Sequence, residues 1–171
     1  HPVTEEFKSN KKNIQNLVQA LNAFSNKKIW IMPNNDAGSS EVKNVLLQSR
    51  DSSSLMFDNL EREDYLGLLN GCEVIIGNSS SGIIESPSFK VPSVNIGNRQ
   101  KGRLSSSSTI HCTYKSSEII RSIKKSLSKK FKKNLKKILN PYGDGLTSEK
   151  ILNILKKTDV NEKILNKYIS Y

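Results

Sequence analysis

The sequence predicts an α/β chain: a Rossmann-like parallel sheet with helices on both faces. Short runs of strand-forming apolar residues alternate with helical periodicities, the connections between them span a few residues, and "VII" at 74–76 reads as a strand buried on both sides. Alternation of that kind requires crossovers, and crossovers give parallel strands covered by helices. Ligands of such sheets bind at the carboxyl ends of the strands.

Taken in order, Thr4 stands where a helix cap belongs, and Phe7, Ile14, Leu17, Val18, Leu21 and Phe24 follow at helical spacing. "KIWIM" (28–32) is a short buried strand, "PNNDAGSS" (33–40) is turn chemistry, a helix follows over 40–48, and "SLMF" (54–57) is a strand. A helix over 61–70 carries Tyr65, Leu68 and Leu69 on one side, and "EVIIG" (73–77) is the next strand. Then come a helix over 82–89 and strands at 92–97 and 109–114. Ser116 is placed to cap a helix over 117–127 whose apolar side is Ile119, Ile120, Ile123 and Leu127. Further helices are expected over 129–139, 148–157 and 158–171. No solenoid repeat is present, and the serine runs at 52–54, 79–81 and 105–108 are too short for linkers.

A chain of 171 residues buries a sizeable core and is expected to form one domain, 1–171, with 146–171 as closing helices. Its 27 Lys+Arg against 16 Asp+Glu give a net charge of +11, which invites acidic partners. The excess is concentrated in the last third. There, Phe131, Leu135, Ile138 and Leu139 form one apolar stripe, and the lysines of "KKFKKNLKKIL" (129–139) take the solvated faces. No aromatic residues interleave with those lysines to stack bases, so nucleic acid is not an expected partner.

Cys72 and Cys112 lack a redox or disulfide spacing and read as free thiols in a reduced compartment. His1 and His111 lie far apart, so no metal site and no cofactor are predicted. No apolar run approaches the roughly 18–20 residues of a membrane span, so no membrane partner is expected and the setting is read as cytoplasmic. A start at His1-Pro2 without methionine suggests a piece of a longer polypeptide.

The most informative stretch is "VIIGNSSSGIIE" (74–85). A strand ending at Gly77, a hydroxyl-rich turn and a helix starting near Gly82 would aim backbone N–H groups and a helix start at one point, an arrangement that suits phosphate. Ser79, Ser80 and Ser81 add hydroxyl donors, and Gly82 would admit a diphosphate close to the backbone. An N-capped turn explains the serines equally well. Glu85, one helical turn past Ser81 among apolar neighbours, is placed to accept both ribose hydroxyls of a nucleotide. After the next strand, "NRQKGR" (98–103) sets Arg99 beside the same point, with Lys101 and Arg103 behind it.

With these residues in view, the chain resembles the C-terminal half of the hydrolysing UDP-N-acetylglucosamine 2-epimerases, the sialic-acid-pathway branch in particular. The resemblance rests on "HPVTEE" (1–6), "PNNDAG" (33–38), "GNSSSGIIESPSF" (77–89), "VNIGNRQKGR" (94–103) and "NPYGDG" (140–145), in that order along nearly the whole chain. It implies one half of a glycosyltransferase-B-type fold, with the active site between two Rossmann-like halves and the N-terminal catalytic half absent here. By position, it makes His1 a catalytic residue at the nucleotide diphosphate, Asn34 a UDP contact and Leu60 the main-chain contact to uracil. Ser79 and Ser80 would bind phosphate, Glu85 the ribose and Arg99 the UDP moiety. The implied reaction eliminates UDP across C1–C2 of the sugar and adds water with inversion at C2, giving N-acetylmannosamine or an analogue. Implied partners are a UDP-sugar and the N-terminal half of the same enzyme, with a homodimer left open. This chain alone would then be inactive.

Two rivals stand beside this reading. In many retaining glycosyltransferases of this fold a second glutamate follows the first by eight residues; that position is Ser93 here. A basic nucleic-acid-binding domain is the other, and it would bind with an affinity that falls steeply with salt.

Overall fold

Each strand is short enough that its burial must come from helices laid across it. The computed structural model describes residues 1–161 and divides into two units, His1–Pro141 and Tyr142–Tyr171. In the first unit a 3₁₀ turn (Thr4–Ser9) leads into α1 (Asn10–Leu21), β1 (Lys28–Ile31), α2 (Ser39–Gln48), β2 (Ser54–Phe57) and α3 (Arg62–Gly71). It continues through β3 (Ile75–Gly77), α4 (Ser81–Ile84), β4 (Ser93–Ile96), β5 (Thr109–Cys112), α5 (Ser116–Leu127) and α6 (Lys129–Leu135). Every ladder is parallel, β1 beside β2 and β3–β4–β5 in that order. The α/β class expected from the alternation is therefore the class observed. Among the described residues no ladder joins β1 to β3, so the strands form two sheets side by side.

α1 serves both. Ala20 and Leu21 pack with Val94 and Ile96 of β4 and Ile119 and Ile123 of α5, while Ile14 and Val18 pack with Met32, Val42 and Leu46. In α5 the buried isoleucines are one turn apart, Glu118 lies in the first turn and Lys124 and Lys125 in the last, each favourable to the helix dipole. β4 is buried on both faces although it alternates Ser-Val-Asn-Ile. Val94 and Ile96 meet α1 and α5. Ser93 and Asn95 point the other way toward β5, Ser93 Oγ donating to Thr109 Oγ1 at 3.0 Å and Asn95 Nδ2 lying 3.1 Å from His111 Nδ1, while Asn95 Oδ1 is buried without a partner among the described residues. Along β1–β2, Trp30 and Met56 face the core, whereas Ile29, Ile31 and Leu55 on the opposite face are exposed.

Several boundaries differ from expectation for identifiable reasons. Thr4 caps nothing; the helix expected from Thr4 is a 3₁₀ turn kinked at Glu6 followed by α1. The segment is held instead by buried Asn10, whose amide bonds both the N–H and the carbonyl of Val3 at 3.2 Å. Ser116 likewise is no cap, because its hydroxyl donates to the Asn16 carbonyl at 2.9 Å and ties α5 to α1. The helix expected over 82–89 shrinks to the four residues of α4. Pro87 has no N–H for the next helical bond and its ring opposes the carbonyl four residues earlier. Lys90, at φ 57°, then turns the chain toward β4.

Ser53 and Ser54 have a task that their run disguised. Asp51 accepts from Ser53 N at 2.9 Å and from the Ser53 and Ser54 hydroxyls at 2.7 Å, fastening the start of β2. Those bonds favour the charged carboxylate and lower its pKa from 3.8 to about 2. A depressed carboxylate stabilises the fold above its unfolded pKa, and that contribution is lost as pH falls through the folded value. Asp51 is therefore expected to titrate near 2 in a carbon-13 NMR series, with its share of stability disappearing between about 3.8 and 2. A midpoint near 3.8 would dismiss the network.

The lysine-rich segment forms α6, opened by Ser128, whose hydroxyl accepts from Phe131 N. Leu135 is buried and the lysines face outward or are half-buried. The second unit holds α7 (Thr147–Lys157), preceded by Asp144, which accepts from Leu146 N at 3.0 Å and pairs with Lys150 at 2.9 Å. Residues 158–161 are not helical, and the rest of the terminal helix expected to 171 lies outside the described residues. No helix among the described residues is long and apolar enough to cross a membrane.

Candidate functional site

Parallel strands deliver their carboxyl ends to one edge of the sheet, and the loops leaving those ends carry nearly all the residues singled out in the sequence. β1 leads to Asn34, β2 to Leu60, β3 to Asn78, Ser79 and Ser80, and β4 to Gly97 and Arg99. Between β1 and β3 the missing ladder leaves a cleft lined by His1, Trp30, Pro33, Ile76, Ser79 and Tyr114, among others.

Asn78, the first residue past β3, is buried and draws three segments together. Its Nδ2 donates to the His1 carbonyl at 2.8 Å, and its Oδ1 accepts from the His1 main-chain nitrogen at 2.8 Å. Its own carbonyl accepts from Arg99 Nη1 at 3.1 Å and from the buried Gln100 Nε2 at 2.8 Å. His1 Nδ1 lies 3.2 Å from Asn34 Oδ1 and 3.3 Å from Asn34 N, and Asp36 fixes the Asn34 amide through a 2.6 Å bond. An unprotonated Nδ1 accepts from the main-chain N–H; a protonated one donates to Oδ1. The imidazole thus has a partner in either state.

The serine turn is only partly what its sequence suggested. Ser79 and Ser80 are half-buried. Ser81 is buried and its hydroxyl is engaged by the Tyr65 hydroxyl, so it is not a free donor for an anion. Gly82 is buried against β4, where a Cβ would meet the Ser93 Cβ at 3.4 Å, an ordinary contact distance. With four residues, α4 also lacks the length that would give a strong helix dipole.

Glu85 ends α4 outside the apolar interior. Its side chain is 27% exposed and pairs with Arg62 Nη1 at 3.5 Å, two residues past half-buried Leu60. Arg99 is exposed, and Lys101 and Arg103 lie exposed on the turn that follows it. Burial raises the Tyr114 pKa, with Glu6 adding to the rise and Asn78 and Arg99 opposing it. Burial also raises Tyr65, against the Ser81 hydrogen bond and with help from Glu85. Among the described residues no three His, Cys, Asp or Glu are grouped to hold a metal ion.

The structure therefore brings His1, Asn34, Ser79, Ser80 and Arg99 around the end of β3, sets Glu85 and Leu60 near Arg62, and takes Ser81 and Gly82 into the packing. Asn78, Gln100, Tyr114 and Tyr65 were missed as site residues. A buried amide inside a run of small polar residues has no periodicity to betray it; for Asn78 the one signal was its position at the strand end. Chemically, this edge offers a guanidinium, two hydroxyls and an imidazole to an anion, with a carboxylate one turn away for hydroxyl groups.

A family model described as UDP-N-acetylglucosamine 2-epimerase matches residues 1–156. Among curated relatives, the UDP-N,N'-diacetylbacillosamine 2-epimerase (hydrolyzing) of Legionella pneumophila is 35% identical over 173 aligned positions, covering 100% of this chain and 45% of that protein. The GDP/UDP-N,N'-diacetylbacillosamine 2-epimerase (hydrolyzing) of Campylobacter jejuni is 37% identical over 138 positions, covering 78% of this chain and 35% of that protein. The chain thus spans less than half the length of these relatives. In fold it is similar to the Methanocaldococcus jannaschii UDP-GlcNAc 2-epimerase solved in complex with UDP-GlcNAc and UDP, at a TM-score of 0.67 and 18% identity, covering 88% of this chain and 41% of that one. A putative UDP-N-acetylglucosamine 2-epimerase from Listeria monocytogenes gives a TM-score of 0.70 at 16% identity, over 92% and 44% of the two chains.

Proposed function

Because the chain belongs to the UDP-N-acetylglucosamine 2-epimerase family, we propose that it is the nucleotide-binding part of a hydrolysing 2-epimerase and holds the uridine diphosphate of a UDP-sugar along the strand ends. The observation that carries this reading is the convergence on Asn78 of His1 and Arg99, beside two half-buried serines and one turn from an accessible carboxylate. Arg99 and the hydroxyls of Ser79 and Ser80 take the phosphates, with Lys101 and Arg103 adding positive potential. Glu85 accepts the ribose hydroxyls, as charged acceptors do most strongly. The main chain at Leu60 meets the uracil, and His1, steadied by Asn34, faces the diphosphate.

In this reading the parent enzyme eliminates UDP across C1–C2 of the sugar and adds water with inversion at C2, giving N-acetylmannosamine or an analogue. Removing a weakly acidic C–H proton requires positioned carboxylates. Those acids belong to the N-terminal half of the same enzyme, outside this chain, so the chain by itself binds without turning over. Similarity to the Legionella and Campylobacter diacetylbacillosamine 2-epimerases favours a diacetamido sugar over N-acetylglucosamine. Two free thiols fit a reduced, cytoplasmic setting. The glycosyltransferase alternative loses ground because Ser93, at its second glutamate position, is buried and bonded to Thr109.

Calorimetric titration tests the reading. UDP is expected to bind with a dissociation constant at least tenfold below that of ADP, because only the uracil matches the main chain at Leu60. Equal affinities for the two nucleotides would refute it.

A further inference from the structure

We propose that Asn78 is a positioning residue that holds the main chain of His1 with its side chain and Arg99 with its carbonyl, so that the imidazole and the guanidinium are both placed at one strand end. The proposal rests on the reading of that strand end as a diphosphate site. An asparagine amide carries one acceptor and one donor at a spacing close to that of a main-chain N–H and C=O. Asn78 uses both on His1, at 2.8 Å each, in the two-bond pattern that a neighbouring strand would make. Asn10 repeats the pattern two residues on, bonding Val3 through both its N–H and its carbonyl at 3.2 Å. His1–Val3 is therefore held as an extended segment by two amides standing in for a strand, with buried Pro2 between the rungs.

The consequence lies in what the clamped segment carries. Without it, the His1 ring has only the contacts with Asn34 at 3.2 and 3.3 Å, on an exposed loop, to keep it at the strand end. With it, the backbone of His1 is fixed by a side chain that is 7% exposed and belongs to the β3 end itself. The Asn78 carbonyl then places Arg99 at 3.1 Å, with Gln100, 2% exposed, taking the same oxygen at 2.8 Å from the buried side. Leucine, of similar size, would remove both bonds to His1 and leave the carbonyl in place.

The test compares the chain with its Asn78→Leu and Asn78→Ala variants by NMR and by calorimetric titration with UDP. Both variants are expected to lose the nuclear Overhauser contacts between the His1 ring and Asn34 while the amide signals of Ile76, Val94 and Ile96 stay in place. The UDP dissociation constant is expected to rise about tenfold. Contacts of His1 that persist in both variants, or that are missing from the unaltered chain, overturn the proposal. So does UDP affinity that is unchanged once the contacts are lost. Displacement of the Ile76 and Val94 signals in both variants also overturns it, because Asn78 is then an element of the fold. An unaltered chain that fails to bind UDP refutes the nucleotide reading instead, and the His1 contacts still judge the clamp.

Discussion

Gly97→Ala is expected to destabilise the fold by about 3 kcal/mol, measured by urea unfolding. Two costs add. Gly97 leaves β4 at φ +76°, a left-handed backbone that costs an L-residue roughly 1–2 kcal/mol. A methyl group there would also stand 2.3 Å from Tyr114 Cε2 and 2.5 Å from its hydroxyl oxygen, well inside contact distance. The ring would have to swing away, yet it packs against the cluster of Val94, Ile96, Ile119 and Ile123. Exposing much of an aromatic side chain costs on the order of 2 kcal/mol. The two parts are separable. In a double-mutant cycle with Tyr114→Ala, a coupling of about 2 kcal/mol should cancel the steric part and leave the backbone part. Additive losses would show that the ring never filled that space.

Glu85→Ala should weaken UDP binding about a hundredfold with little change in stability. A carboxylate accepting two hydroxyl groups contributes about 1.5–3 kcal/mol through charge-assisted hydrogen bonds, and each 1.4 kcal/mol is tenfold in affinity. Its partner in the free chain is Arg62, 77% exposed at 3.5 Å, and such surface pairs contribute roughly 0–1 kcal/mol. Glu85→Gln, which keeps the shape and one acceptor oxygen, should fall between. Retention of full UDP affinity by a folded Glu85→Ala protein would remove Glu85 from the site.

The strands were legible because each is a short apolar run closed by turn residues, and every one appears within a few residues of its expected bounds. Helices with a single buried stripe, such as α5, were equally plain. What failed was local in its reasoning and distant in its cause. Pro87 sat in view inside the expected helix over 82–89, but apolar spacing outweighed the missing N–H. The motif alone cannot say which side of a four-residue helix meets β4, so the engagement of the Ser81 hydroxyl by Tyr65 has no signal in it. Asn78 and Gln100 escaped because their partners lie 77 and 22 residues away, beyond the reach of any spacing rule.

The two-sheet arrangement has a mechanical consequence. With no ladder crossing from Trp30 to Ile76, the strand layer is split along its length, and α1 lies over the split like a beam across two floors. Asn34 stands on one bank of the split and Ser79 on the other. An occupant gripped by both would act as a suture, drawing the banks together and making rigidity of the layer a product of occupancy.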